Sequence, residues 1–448
     1  MSMDNRIGKT AFAVATMLLL AACGGSQEAT GTADVVQTPR ASAHDMLERE
    51  AMHTAASAHF AHPGVLVSLA QLEYVKKQVA AKAAPFYAAY QATESSKWGA
   101  LDYKREGPPS DGVIDCGSFS NPDIGCSAED SDSTAAYAQA LLWSISGNSK
   151  YAQNAIAIMN AYAQKVRGHT NSNGPLQAAW TAEKWPAAAD IIASTYDGWS
   201  AADIAAFKKM LTTQYLPHID ALQGKGKNGN WQLSMIDGML GIAVFTEDQT
   251  LYDNAVTLWK KWVPAYFYNA TEDGGKPVTF SGGPTSDGSE AIGWNGQSVF
   301  DAATSGVAQE TCRDLAHVGL GLTATINAAE TAYIQGTDLY TPMKTRLTTS
   351  LEYYSHMLQG VRETSQTDGT RVPVPSGFTG LCSGTHTYIP ILTGTTERAY
   401  NAYHNRMGVA LPQTEKHILD DVRPHAPLTN LHNIVFETLT DGGSAAAK

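Results

Sequence analysis

The sequence predicts an all-α protein, a single domain of helical hairpins behind a short tether. Three observations carry that prediction. Roughly a dozen segments space their apolar residues at three and four, the helical period, whereas few show the alternation that strands need. Turn signals such as Gly147-Asn148 separate neighbouring segments, so successive helices reverse direction. No fixed-length repeat runs through the 448 residues, which argues against an open solenoid.

Residues 1–22 read as an export signal: Arg6 and Lys9 precede an apolar run from Ala11 to Leu20, too short to span a bilayer as a mature helix. The ending Leu20-Ala21-Ala22-Cys23 is similar to a bacterial lipoprotein signal, which implies a lipid anchor on Cys23 at an outer membrane or cell surface. Residues 23–45, rich in Gly, Ala, Ser and Thr, have little to bury and form a flexible tether. The domain is expected over 46–442, with 443–448 as a frayed tail.

Within the domain, helical spacing begins over Val65–Ala81 and is followed by a polar loop, Leu101–Asp130. Helices are expected at Asp132–Ser146, Tyr151–Val166 and Leu176–Ser194, then at Ala201–Tyr215 behind Ser200, a suitable N-cap. Met235–Phe245 and Gln249–Tyr266 make an antiparallel pair, with Trp259 and Trp262 on the apolar side of the second. The glycine-rich stretch Phe280–Phe300 leads into a central helix running from Gln309 toward Gln335. Later helices are expected at Thr337–Leu358, Thr396–Met407 and Thr414–Leu419.

The formal charge of −12 argues against non-specific nucleic-acid binding but leaves room for a local basic cluster that grips a polyanion. Export permits disulfides among Cys116, Cys126, Cys312 and Cys382, which allow three pairings. The expected set is Cys116 with Cys126 and Cys312 with Cys382, the second pinning the central helix to a distant loop. No cysteine or histidine spacing forms a metal site, and no phosphate loop, dinucleotide fingerprint or serine-hydrolase elbow is present. No cofactor is expected, and a monomer is.

The reactive candidates are polar clusters. At 3.6 residues per turn, Glu310, Arg313 and His317 share one face of the expected central helix. Gly319 and Gly321 suit a place where something approaches the backbone closely. Asn230 and the segment holding Tyr400, Tyr403, His404 and Arg406 complete the set. These residue types suit β-elimination from a uronic-acid polymer, which removes a proton α to a carboxylate. Donors such as Arg, Asn or protonated Glu neutralise that carboxylate, a neutral histidine takes the proton, and a tyrosine serves the leaving oxygen.

Four motifs together carry a resemblance: Asn230-Trp231 with Ser234-Met235-Ile236-Asp237; Glu310-Thr311-Cys312-Arg313-Asp314 with His317; Gln335-Gly336 with Asp338-Leu339-Tyr340; and Tyr400-Asn401-Ala402 with His404 and Arg406. From about Val65 to Thr440 the chain resembles the alginate-lyase-domain superfamily. The resemblance implies an (α/α) toroid, an incomplete helical barrel whose long loops form a substrate cleft. It also implies lytic cleavage of 1,4-linked uronans such as alginate, mannuronan or glucuronan. By the same resemblance Asn230 neutralises the carboxylate with Glu310 and Arg313 in support, His317 is the base, and Tyr400 the acid or acid/base. Arg406, His404, Tyr403, Trp231, Trp180, Trp294 and Lys227 are expected at the sugar, although the tryptophans equally suit a core. The contiguous Asn-His pair of the best-known alginate lyases is replaced here by Asn228-Gly229-Asn230-Trp231, so the chain looks closer to a broader uronan and glucuronan subgroup. Two other readings compete: a glycoside hydrolase using Asp287 or Glu290 with Glu310, and a glycan-capturing lipoprotein without chemistry.

Overall fold

Inner helices surrounded by protein and outer helices with one apolar stripe divide the chain into two layers. A computed structural model describes residues 60–220, 229–278, 293–359, 372–384, 387–388, 396–426, 432 and 436–444. The export signal with Cys23, the tether, Lys227, Asp287 and Glu290 lie outside the described residues. The ordered elements are α1 (Leu69–Ala80), α2 (Phe86–Ser95), α3 (Cys126–Ser146), α4 (Ser149–Lys165), α5 (Gly174–Thr195), α6 (Ala201–Met210), α7 (Gly229–Thr246) and α8 (Gln249–Tyr266). Then come α9 (Leu315–Ile334), α10 (Lys344–Leu358) and the short α11 (Glu397–Tyr400), α12 (Pro412–His417) and α13 (Glu437–Asp441).

Helices α3, α5, α7 and α9 pack side by side as the inner row, and α4, α8 and α10 return outside it. Their sequences say which is which. Every residue of α5 from Leu176 to Ile192, of α7 from Gln232 to Phe245 and of α9 from Val318 to Ala332 is buried, so these helices are enclosed on all sides. Small residues let them touch: a Cβ on Gly238 of α7 would lie 2.9 Å from the Cβ of Ala182 on α5. By contrast α8 buries Leu251, Tyr252, Ala255, Val256, Trp259, Trp262 and Val263, a stripe at three and four. The result is the expected all-α architecture, an incomplete (α/α) toroid.

The inner helices run parallel. Near their N-termini, Gln177 Nε2 of α5 donates to Cys126 O of α3 at 3.1 Å, and Trp231 of α7 packs on Trp180 of α5 and Leu320 of α9. Near their C-termini, the segment before α1 ties the ends of α5, α7 and α9 together. His62 bonds Asp190 and Glu247, and Leu66 N donates to Thr331 Oγ1 at 3.1 Å.

Several boundaries move. Gln249–Tyr266 is helical as expected, behind an Asp248 cap, and Ser200 caps α6. The central helix begins at Leu315 with Asp314 as N-cap, so residues 309–313 form turns, and Glu310 and Arg313 do not share a helical face with His317. The long loop is interrupted by β1 (Val113–Cys116), which pairs antiparallel with β2 (Asp123–Ile124) and parallel with β3 (Gly168–Thr170). Wide π-turns at Leu211–Tyr215, Asn401–Arg406 and Ile418–Val422 break segments expected as continuous helices. Gly443 is held rather than frayed, its carbonyl accepting from Gln71 Nε2 at 2.8 Å. Both expected disulfides, Cys116–Cys126 and Cys312–Cys382, are present.

Candidate active site

Glu310 is the hub of the site. Its side chain is fully buried in the turn before α9 and accepts from three residues on three elements. Asn230 Nδ2 lies 2.7 and 2.5 Å from its two oxygens, Tyr266 Oη donates at 3.0 Å, and Arg313 Nη1 at 2.9 Å. A buried carboxylate is tolerated when its lone pairs are filled in this way. Asn230 is 0% exposed and its Oδ1 has no partner. Its amide nitrogen is directed at Glu310. The member of the group that meets solvent is Arg313, 31% exposed, with guanidinium donors to spare beyond the one given to Glu310.

Asp314 orients the histidine. As N-cap of α9 it accepts from His317 N at 2.8 Å and from His317 Nδ1 at 2.6 Å. Burial pushes the Asp314 carboxyl upward, but the hydrogen bonds from His317, with the Arg313 guanidinium beside it, outweigh burial and hold it below the usual carboxylate value. With Nδ1–H given to Asp314, His317 presents Nε2, which has no hydrogen-bond partner among the described residues. The His317 side chain is 23% exposed.

Tyr266, the last residue of α8, is a member that sequence reasoning missed. It donates to Glu310 and also to His317 O at 3.1 Å. Burial, then the Glu310 charge, raises its pKa well above the ordinary value, so it stays a neutral donor. Its signal was present in two glycines. A Cβ on Gly229 would lie 2.1 Å from the Tyr266 ring and one on Gly321 2.6 Å from it. The close approach expected near Gly319 and Gly321 therefore occurs at Gly321, and the approaching group is this phenol.

Beside the hub lies an apolar cluster of Leu176, Trp180 and Leu320 with Trp231 packed against it. His432 stacks on Trp180 with ring centres 4.0 Å apart, and its Nδ1 is 3.0 Å from Asp130 Oδ2. Neither His432 nor Asp130 was singled out from sequence.

The remaining expected sugar-binding residues fall elsewhere. Trp294 and Tyr403 are 0% exposed and belong to the core, so neither offers a face to a sugar. Arg406 is 3.0 Å from Glu330, with its guanidinium 4.4 Å from the Tyr333 ring centre. It lines a cavity of about 290 Å³ with Asn401 and Asp441. Glu330 is thirteen residues along α9 from His317, about 20 Å at 1.5 Å per residue. His404 gives Nδ1 to Val409 O at 2.8 Å and stacks on Tyr400. Burial, with the Glu415 carboxylate beside it, pushes the Tyr400 pKa up to about 12. None of the described hydrogen-bond or ring partners of Tyr400 belongs to the Glu310 group. Among the described residues no cluster of His, Cys, Asp and Glu is arranged to hold a metal ion, and no helix is long and apolar enough to cross a membrane.

Residues 41–277, more than half of the chain, match the family described as alginate lyase. No curated protein matches the chain in sequence. An alginate lyase from Bacteroides ovatus superposes with a TM-score of 0.52 at 14% identity, covering 85% of this chain and 99% of its own. Alginate lyase A1-III from Sphingomonas species A1 gives 0.54 at 13% identity, covering 86% and 97%. A histidine-to-alanine variant of alginate lyase A1-III complexed with tetrasaccharide gives 0.56 at 14%, with coverage of 86% and 97%. At these identities the likeness of structure shows the shared fold.

Proposed function

Because the chain belongs to the alginate lyase family, we propose that it is a polysaccharide lyase that cuts 1,4-linked uronans such as alginate, mannuronan or glucuronan by β-elimination, leaving a 4,5-unsaturated uronate end. The observation that carries this reading is the Asp314–His317 pair next to an Arg313 anchored by Glu310.

In this mechanism Arg313 binds the substrate carboxylate, so that negative charge developing there on loss of the C5 proton is stabilised. Nε2 of His317 takes that proton, the C5 electrons form the C4–C5 double bond, and the C4–O bond breaks. The imidazolium then returns its proton to the leaving oxygen. Asp314 holds the tautomer and supports the imidazolium. Glu310, Asn230 and Tyr266 position Arg313 and the start of α9. One imidazole serving both proton transfers suits uronates whose C5 proton and leaving oxygen share a face, as in mannuronate and glucuronate; guluronate is the C5 epimer. The N-termini of four parallel inner helices near the cleft add a field that favours a polyanion.

We further read residues 1–22 as an export signal followed by a lipid anchor on Cys23, which would hold the enzyme at a membrane surface facing the polymer. Two disulfides agree with an oxidising compartment.

The test is absorbance of the conjugated product on mixing the protein with mannuronan, glucuronan and polyguluronate. Product is expected from one or both of the first two, and His317→Ala is expected to lower kcat by about 10²–10⁴-fold. New reducing ends without absorbance would replace elimination with hydrolysis.

A further inference from the structure

Asp130, near the start of α3, is 2% exposed and faces an ammonium and an imidazole. Lys184 Nζ of α5, itself buried, lies 3.0 Å from Oδ1, and His432 Nδ1 lies 3.0 Å from Oδ2. A buried pair of this kind is stable when its remaining lone pairs are also filled, and His432 fills one on Oδ2. Yet His432 comes from a distant part of the chain, keeps 38% of its side chain exposed and lies flat on Trp180 with an interplanar angle of 21°. That tryptophan shares its apolar cluster with Leu320, one turn along α9 from His317, and with Trp231, which follows Asn230. His432 is thus a partly exposed imidazole held between Asp130 and Trp180 at the N-terminal end of the inner helices. The reaction proposed above gives it no task.

We propose that His432 is a substrate-holding residue, which grips a uronate unit flanking the one undergoing elimination and is stiffened for that purpose by Asp130 and Trp180. An imidazole fixed in plane and position loses little entropy on meeting a sugar hydroxyl or carboxylate. The stack also explains why Trp180 is no bare platform: on one face its indole already carries the imidazole, and the sugar meets the pair at its exposed edge. The inference deepens the lyase reading and rests on it for the class of ligand.

The experiment measures binding separately from turnover. Calorimetry with mannuronate and glucuronate tetrasaccharides reports Kd, and absorbance reports kcat and KM on the polymers. For His432→Ala, Kd and KM are expected to rise about tenfold, the size of one good hydrogen bond to a charged group, with kcat within twofold of wild type. His432→Gln, which keeps an N–H donor, is expected to recover part of the loss. Thermal melting confirms that both variants fold; Asp130 is left unchanged, since removing it strands Lys184. Unaltered Kd and KM in His432→Ala overturn this inference while leaving the lyase reading intact. Binding that weakens in His432→Ala, in a protein that yields no unsaturated product, keeps the holding site and overturns elimination. A wild-type protein that binds neither tetrasaccharide overturns both.

Discussion

Two histidines, one at each end of the inner helices, sit 2.6 Å from an aspartate and do opposite things. At the C-terminal end, His62 gives Nδ1 to Asp190 and Nε2 to Glu247 at 2.5 Å, using both nitrogens. Asp190 also accepts from Gly64 N at 2.6 Å and Val65 N at 3.1 Å, so the whole segment before α1 is fastened to α5. At the N-terminal end, His317 gives Nδ1 to Asp314, and its Nε2 has no hydrogen-bond partner among the described residues. A histidine with both nitrogens engaged is a fastener, and one with a single nitrogen engaged is a reagent held ready. The carboxylate neighbour alone does not tell them apart.

The largest effect that separates the two ends comes from amidating each aspartate. Asp314→Asn presents an N–H or a poorer acceptor to Nδ1, unsettling the tautomer that leaves Nε2 basic. A fall in kcat of about 10²–10⁴-fold is expected, with little change in melting temperature. Asp190→Asn is expected to lower the melting temperature and leave kcat per folded molecule unchanged. Equal losses of kcat in the two variants would erase the distinction.

Arg406 is the next probe, because sequence reasoning assigned it to the sugar and the structure puts it at the fastening end. Its partner Glu330 and its own side chain are 10% and 15% exposed. Arg406→Ala leaves a largely buried carboxylate unpaired and is expected to cost about 3–5 kcal/mol of stability. KM for the polymer should not move. A raised KM with unchanged stability would return Arg406 to the cleft.

How far the sequence could be read follows the same division. Helix positions were legible because one-sided burial leaves a period, as in α8, and enclosed helices leave long apolar runs, as in α7. Glu310, Arg313 and His317 were legible as a group because they are close in sequence. Their geometry was not: a helix beginning at Gln309 would put them on one face, whereas the Asp314 cap starts the helix at Leu315 and lets Glu310 turn inward to Asn230. Tyr266 and His432 enter the site only through folding, from 44 and 115 residues away from Glu310 and His317 respectively, and no local spacing reports such meetings. The segment holding Tyr400, Tyr403 and Arg406 shows the converse. Its polar and aromatic residues satisfy one another and the buried carboxylates around them, a structural use with the same composition as a binding one.

The smallest effect is a titration, and it bears on the fastening end alone. The hydrogen bond to Asp190, opposed by burial and joined by Glu247, raises the pKa of His62 from 6.5 to about 9. A group whose pKa is raised on folding contributes stability that is fully present below its unfolded value and is lost as pH rises through its folded value. The contribution of His62 is therefore complete below about pH 6.5 and gone above about pH 9. The melting temperature of wild type minus that of His62→Gln is expected to be positive at pH 6 and to shrink toward its alkaline limit across that window. Elimination by the folded protein should not track this difference, because no step of the reaction uses the C-terminal end of the inner helices. A difference that instead grew with pH would mean that His62 is held neutral, with one N–H to give and therefore one hydrogen bond to a carboxylate in place of an ion pair with two.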